Sequence, residues 1–392
     1  MVNVRGRHYL TGEVYDFHLA DGLIQTITSP VTDADVLGGE DCWVVPGLID
    51  IQVNGYLGHD FCSGEITVDD VIAVADRLAA AGVTSFCPTV ATNSAAAMES
   101  SLQTIALACE RSKLAHERIL AVHLEGPYIS SEDGPRGAHP LEYVRDPDWG
   151  EFTQFQKAAG GRIGLVTVAP ELPDALDFIY KARKAGVVVA IGHHAATREQ
   201  INAAVFAGAT LSTHLGNGAH KRMFRHQNYI WEQLANDALM ASVIVDGHHL
   251  TPAVVRSFYS VKGPGRLVLI SDVIAPAGLP PGRYQFMGLD VEAQEDGCVH
   301  LSGTPYLAGS TLKLYEAIGN VMRFAGASLS DAVRMATENP ARLLGVDRHR
   351  GSLRIGARAD LALLRCSPDL CELVLTVAGG VVCYSASDEV PI

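Results

Sequence analysis

Carboxylates, imidazoles and side-chain amides recur where apolar runs of this 392-residue chain come to an end. The run 44–52 closes on Asp50 and Gln52, with Asn54 just beyond, and the run 119–125 closes on His123 and Glu125. The runs 187–193 and 210–214 end in His193, with His194 next, and in His214; Asp246 is followed by His248 and His249, and the run 267–272 ends in Asp272. Such groups converging from separate strands can hold a divalent cation, and a site with three protein ligands leaves a position open for water, which the ion acidifies to a pKa of about 7. Glu and His donors suit Zn2+ or Fe2+. A single histidine at a strand end is usually a hydrogen-bonded core residue; here several strand ends coincide, and that coincidence selects Glu125, His193 and His214. His123 lies one layer deeper and His194 faces away from His193, because side chains alternate along a strand. Both read as structural, as does His59 in the glycine-rich loop after the first run.

These residues need a scaffold that gathers strand ends. Eight short apolar runs (44–52, 83–90, 119–125, 163–169, 187–193, 210–214, 241–246 and 267–272) alternate with amphipathic stretches, the pattern of a parallel α/β fold. One stretch, 69–81, puts Val71, Ile72, Ala75, Leu78 and Ala79 on one helical face and stops at Gly82. Another, 197–207, opens with Thr197 and Gln200 as a capping box and stops at Gly208. Eight strand-helix units predict a (β/α)8 barrel over 44–349, whose active site stands at the C-terminal ends of the strands. Residues 1–43 and 350–392 have turn signals, such as Asp21-Gly22 and Gly38-Gly39, and no helical period. Neither end has enough apolar residues for its own core, so the two together are expected to form one small β-sandwich domain.

Composition narrows the function classes. Apolar residues make up 48% and charged residues 19%, which provides for a large core and excludes disorder as the main state. Thirty Lys and Arg against 44 Asp and Glu leave a net charge of -14, with no basic run, so nucleic acid is not an expected partner. There is no apolar span of about 18 residues and no secretory leader behind Arg5 and Arg7, which predicts a soluble, cytoplasmic protein and no membrane partner. The eight cysteines show no Cys-x-x-Cys spacing and are expected to be reduced, buried thiols.

A set of strings then carries a resemblance: PGLIDIQVNG (46–55), HLEGPYIS (123–130), GAHP (137–140), TVAPE (167–171), GHH (192–194), THLGN (213–217), DGHH (246–249), SDVIAPAG (271–278) and LAGSTL (307–312). In this order, over nearly the whole chain, they resemble the N-acetylglucosamine-6-phosphate deacetylase family of the amidohydrolase superfamily. The resemblance implies a metal-dependent deacetylase that releases acetate from an amino-sugar 6-phosphate. It places the metal ligands on Glu125, His193 and His214, and the catalytic carboxylate on Asp272, which takes a proton from water and delivers it to the departing amine. His139 would polarise the acetyl carbonyl and His249 would lie near the sugar. Asn217, the Gly218 backbone and Arg225 would bind the phosphate, the arginine offering a planar fork to its oxygens. In the family that arginine reaches the neighbouring subunit's substrate, which implies a homodimer.

Two departures qualify what the resemblance implies. Many amidohydrolases carry His-x-His after the first strand to hold a second metal; Gln52 and Asn54 stand there instead, and amide oxygens are poorer zinc ligands, so one divalent metal per chain is expected. The segment 216–228 differs from the family's usual string at the sugar-phosphate end, which bears on the substrate rather than on the reaction. Another amidohydrolase, acting on a different N-acyl compound, is the first alternative. A non-catalytic scaffold on the same barrel is the second, since fold alone does not establish activity.

Overall fold

The computed structural model describes residues 2–32, 35–304, 306–367 and 370–387. Eight strands, Leu48–Val53, Val83–Ala91, Val122–Glu125, Ile163–Val168, Val188–Ile191, Ala209–Ser212, Met240–Ile244 and Leu267–Ile270, lie side by side in chain order, every pair parallel. The last returns to the first: Asp272 N donates to Gln52 O at 3.1 Å and Asn54 N to Val273 O at 2.8 Å. The sheet therefore closes as a (β/α)8 barrel. Its strands are buried on both faces, which is why they read as unbroken apolar runs.

Local chemistry sets the helices as expected. The stretch read as one helix over 69–81 is an α-helix, Val68–Arg77, that tightens into the 3-10 turn Leu78–Ala81 and stops at Gly82, where φ is +74°. Thr67 and Asp70 cap its start reciprocally. Thr197 and Gln200 do the same for Arg198–Ala207, which ends at Gly208. Among the described residues, no helix is long and apolar enough to cross a membrane.

Both chain ends build one seven-stranded sheet from Val2–His8, Val14–Ala20, Leu23–Thr28, Leu37–Pro46, Leu361–Cys366, Cys371–Ala378 and Val381–Ser385. Only the pairing of Val2–His8 with Leu37–Pro46 is parallel. The edge at Leu23–Thr28 curls back, with Ile24 N donating to Ala357 O at 2.9 Å and Ala359 N to Gly22 O at 2.8 Å, which folds the sheet into a small sandwich. The segments 1–43 and 350–392 include residues 1, 33, 34, 368, 369 and 388–392, which lie outside the described residues. The strand Leu37–Pro46 runs through the expected boundary at 43/44, and the chain enters the barrel at Gly47. A Cβ there would sit 2.2 Å from Thr84 Oγ1, so this crossing needs glycine.

Two features depart from the sequence reading. Cys366 and Cys371 were expected as free thiols but are disulfide-bonded; they are register partners at the closed end of a hairpin, with Cα atoms 4.1 Å apart. Of the other six cysteines, five are buried and free, and Cys383 is half-buried. Between the last barrel strand and the helix Leu314–Ala325 lies a four-stranded antiparallel sheet, Gly282–Phe286, Leu289–Ala293, Cys298–Leu301 and Leu307–Ser310. Its apolar face packs Val291, Ala293 and Val299 against Ile274, Ala91 and Cys62 beside the barrel mouth.

Candidate active site

Three of the four residues selected at the strand ends share one backbone device. His193, His214 and Asp272 each lie two residues beyond the end of a barrel strand, with φ of +50°, +29° and +54°. A left-handed conformation costs a non-glycine residue on the order of 1 kcal/mol, and here it turns each side chain inward over the barrel. Glu125 reaches the same point from the end of its own strand. Neighbouring residues are small where these side chains need room: a Cβ on Gly218 would lie 2.7 Å from His193 Nδ1, and one on Gly192 would lie 2.8 Å from Thr213 Cβ.

The ligating atoms converge. Glu125 Oε1 lies 3.0 Å from His214 Nε2 and 3.4 Å from His193 Nε2, and the two imidazole nitrogens are 3.0 Å apart. His193 Nδ1 is 2.9 Å from the Pro135 carbonyl, which can only accept, so Nδ1 carries a proton and Nε2 is the atom turned toward Glu125 and His214. Nε2 of His193, Nε2 of His214 and the Glu125 carboxylate point to one place, a set of ligand atoms that fits a divalent cation. Burial opposes the charge on Glu125, but hydrogen bonds to His193 and His214 outweigh it and hold the carboxyl well below its ordinary range.

Asp272 stands beside this set under opposite pressure. Burial, reinforced by the negative charge of Glu125, pushes its carboxyl up to about 7. Gln52 Nε2 and Asn54 Nδ2 both donate to Asp272 Oδ1, at 3.0 and 2.7 Å, and among the described residues nothing donates to Oδ2. Glu125, His193, His214 and Asp272 border a cavity of about 330 Å³, together with His139 and His249. Burial drives His139 down to about 3, so its ring is neutral; Nδ1 is engaged by Thr92 Oγ1 at 2.8 Å. Asp246 fixes His249, its Oδ2 2.6 Å from Nδ1 and its Oδ1 accepting from the backbone N–H of both His248 and His249.

Asn217 and Gly218 also line the cavity. Arg225 does not: it is exposed on the loop 216–228, away from the cavity of its own chain. Lys221, which the sequence reading passed over, does border it, with Nζ 4.0 Å from the ring centre of Tyr306 on the inserted sheet. Its only sequence signal is a cation four residues after Asn217, in the segment that departs from the family. Thr92 carried no signal, and the Asp246 to His249 pairing was not read from the sequence, although DGHH places the two at i and i+3. His123 sits below the site against Thr167 Oγ1 at 2.8 Å, and His59 pairs with Asp70 at 2.9 Å, both in the structural places expected of them. His194 is buried, its ring against Tyr229.

Comparison with known proteins agrees with this geometry. The amidohydrolase family model matches residues 43–382. N-acetylglucosamine-6-phosphate deacetylase of Bacillus subtilis (strain 168) is 31% identical over 374 residues, covering 94% of this chain and 92% of that protein. N-acetylgalactosamine-6-phosphate deacetylase of Escherichia coli O157:H7 is 35% identical, covering 92% of this chain and 94% of that protein. A mutant of N-acetyl-D-glucosamine-6-phosphate deacetylase from Mycobacterium smegmatis, solved in complex with N-acetyl-D-glucosamine-6-phosphate, superposes with a TM-score of 0.85 at 30% identity, covering 98% of this chain and 100% of that one. With the barrel, the strand-end ligand set and these relatives in agreement, the chain belongs to the N-acetylglucosamine-6-phosphate deacetylase family of the amidohydrolases.

Proposed function

We propose that the protein is a metal-dependent deacetylase that hydrolyses the N-acetyl amide of an amino-sugar 6-phosphate, N-acetylglucosamine 6-phosphate first among them, to the amino-sugar phosphate and acetate. The observation that carries this reading is the meeting of Glu125, His193 and His214 at one point, with Asp272 beside them on the same cavity. One divalent ion per chain, Zn2+ or Fe2+, held by those three residues would supply Lewis acidity toward a carbonyl oxygen and acidify water. Asp272 Oδ2, free of hydrogen bonds among the described residues, takes a proton from water and returns it to the leaving amine; a carboxyl tuned near neutrality suits both transfers. His139, held at Nδ1 by Thr92 Oγ1 at 2.8 Å, polarises the acetyl oxygen as negative charge develops there.

At the sugar end, His249, braced by Asp246, meets a hydroxyl, while Asn217, the Gly218 backbone and Lys221 face the phosphate. Arg225 joins them as Arg225 of the partner subunit in a homodimer, a role consistent with its exposure outside its own cavity. A phosphorylated sugar does not cross a bilayer unaided, which fits a cytoplasmic place of action. The position of Arg225 also favours a second reading, an amidohydrolase for another, unphosphorylated N-acyl compound. Acetate release from N-acetyl amino sugars, each with and without its 6-phosphate, decides between them. The proposal expects turnover of the 6-phosphates at much higher kcat/KM, and equal values for both forms would favour the second reading.

A further inference from the structure

Gln52 and Asn54 occupy positions i and i+2 where the first barrel strand ends, with side chains on one face, 1% and 3% exposed. Gln52 Nε2 has two hydrogens and two carboxylate partners: Glu125 Oε1 at 2.8 Å and Asp272 Oδ1 at 3.0 Å. Asn54 Nδ2 adds a second bond to the same Asp272 oxygen at 2.7 Å. The main chain locks the same seam, through Asp272 N to Gln52 O at 3.1 Å and Asn54 N to Val273 O at 2.8 Å. The amide nitrogens, not the oxygens, must face the carboxylates, since an amide oxygen there would set acceptor against acceptor.

We infer that Gln52 and Asn54 are positioning residues that make the two oxygens of Asp272 unequal. Two N–H donors occupy Oδ1, so rotation of the carboxyl group would break both bonds, and Oδ2 alone is kept for proton transfer. The shared Gln52 amide also spans Asp272 and Glu125, two buried acids side by side, and meets both with N–H dipoles. Asp272 is thereby tied to the first strand and kept apart from the Glu125, His193 and His214 donor set. The inference rests on the reading of Asp272 as the proton-transfer group.

The test uses full-length, metal-loaded protein and three substitutions: Gln52→Met, which keeps the length and removes the N–H donors; Asn54→Asp, which keeps the shape and does the same; and Asp272→Asn. For each, kcat and KM for N-acetylglucosamine 6-phosphate, metal per chain by elemental analysis, and the melting temperature are measured. Gln52→Met and Asn54→Asp are expected to lower kcat about 10- to 100-fold, the scale of a misplaced catalytic group, with KM within about twofold and the metal retained. Either variant suffices if the other fails to fold. In the Asp272→Asn background, Gln52→Met is expected to cost less than about twofold more, because its effect passes through Asp272. The inference is overturned if kcat stays within about threefold of the parent, if activity and metal are lost in proportion, or if the losses in the double variant multiply. If Asp272→Asn itself keeps near-normal kcat, the reading of Asp272 has failed, and that outcome is distinct from the failure of the amide clamp alone.

Discussion

Two aspartates mark the seam where the barrel's last strand meets its first. Asp50 lies within the barrel wall, 1% exposed, its Oδ1 accepting from Gln52 N at 3.2 Å and Ser271 N at 3.3 Å. Asp272 lies at the mouth, held through Oδ1 by two side-chain amides, with Oδ2 left over and a cavity before it. Burial pushes both carboxyls up, Asp50 to about 6 and Asp272 to about 7. A perturbed pKa therefore does not separate them. What does is the partner set: main-chain donors make Asp50 a staple between strands, whereas side-chain donors leave Asp272 with one open oxygen facing the place where substrate would sit.

Breaking the comparison should give unequal results. Asp272→Asn is expected to lower kcat by about 1,000-fold or more with the metal retained, the upper part of the range for general acid-base catalysis. Asp50→Asn should leave kcat within about threefold. Steady-state kinetics with elemental analysis checks both, and comparable losses would erase the distinction between staple and base. His193→Ala and His214→Ala act on the mouth in another way: they should bind the ion so weakly that dialysis removes it, and elemental analysis of the dialysed variants reads this directly.

At the sugar end of the same cavity, Lys221→Ala and Arg225→Ala are each expected to raise KM for a 6-phosphorylated N-acetyl amino sugar about 10- to 100-fold, the value of a hydrogen bond to a charged group. KM for the unphosphorylated sugar should hardly move. Equal effects on both sugars would mean that the loop 216–228 had shifted rather than lost a phosphate contact. If Arg225 acts across subunits, mixing inactive Asp272→Asn protein with Arg225→Ala protein should restore some low-KM turnover in mixed dimers.

The smallest effect concerns the staple. The pKa of Asp50 is about 6 in the folded protein, against about 3.9 in an unfolded chain. The folded state thus holds the proton more tightly, and stability from this group rises as pH falls from about 6 toward 4. Above pH 6 the buried charge costs about 3 kcal/mol. Asp50→Asn removes that cost, so it should raise the melting temperature by a few degrees at pH 8 and by less at pH 4.5. An equal shift at both pH values would show that Asp50 does not titrate this way.

Much of the scaffold was legible because parallel strands buried on both faces leave long apolar runs, and because the barrel turns the question of a site into one about strand ends. Glu125, His193, His214 and Asp272 could be named from that rule, and the structure brings them together. The left-handed turns that aim three of them were not legible, since neither histidine nor aspartate announces a positive φ as glycine does. The inserted sheet at 282–310 escaped because its strands are four or five residues long and half-exposed, too short for alternation to stand out. Lys221 and Thr92 depend on loop paths and on contacts far apart in the chain. The Cys366 to Cys371 pairing depends on a hairpin register that the spacing did not reveal.

The most direct test of the central claim is a metal titration of chelated protein, following acetate released from N-acetylglucosamine 6-phosphate. Activity should be absent without metal, rise linearly as Zn2+ or Fe2+ is added, and level off at one equivalent per chain. Full activity in the chelated protein, or a plateau only at two equivalents, would contradict the single site built from Glu125, His193 and His214.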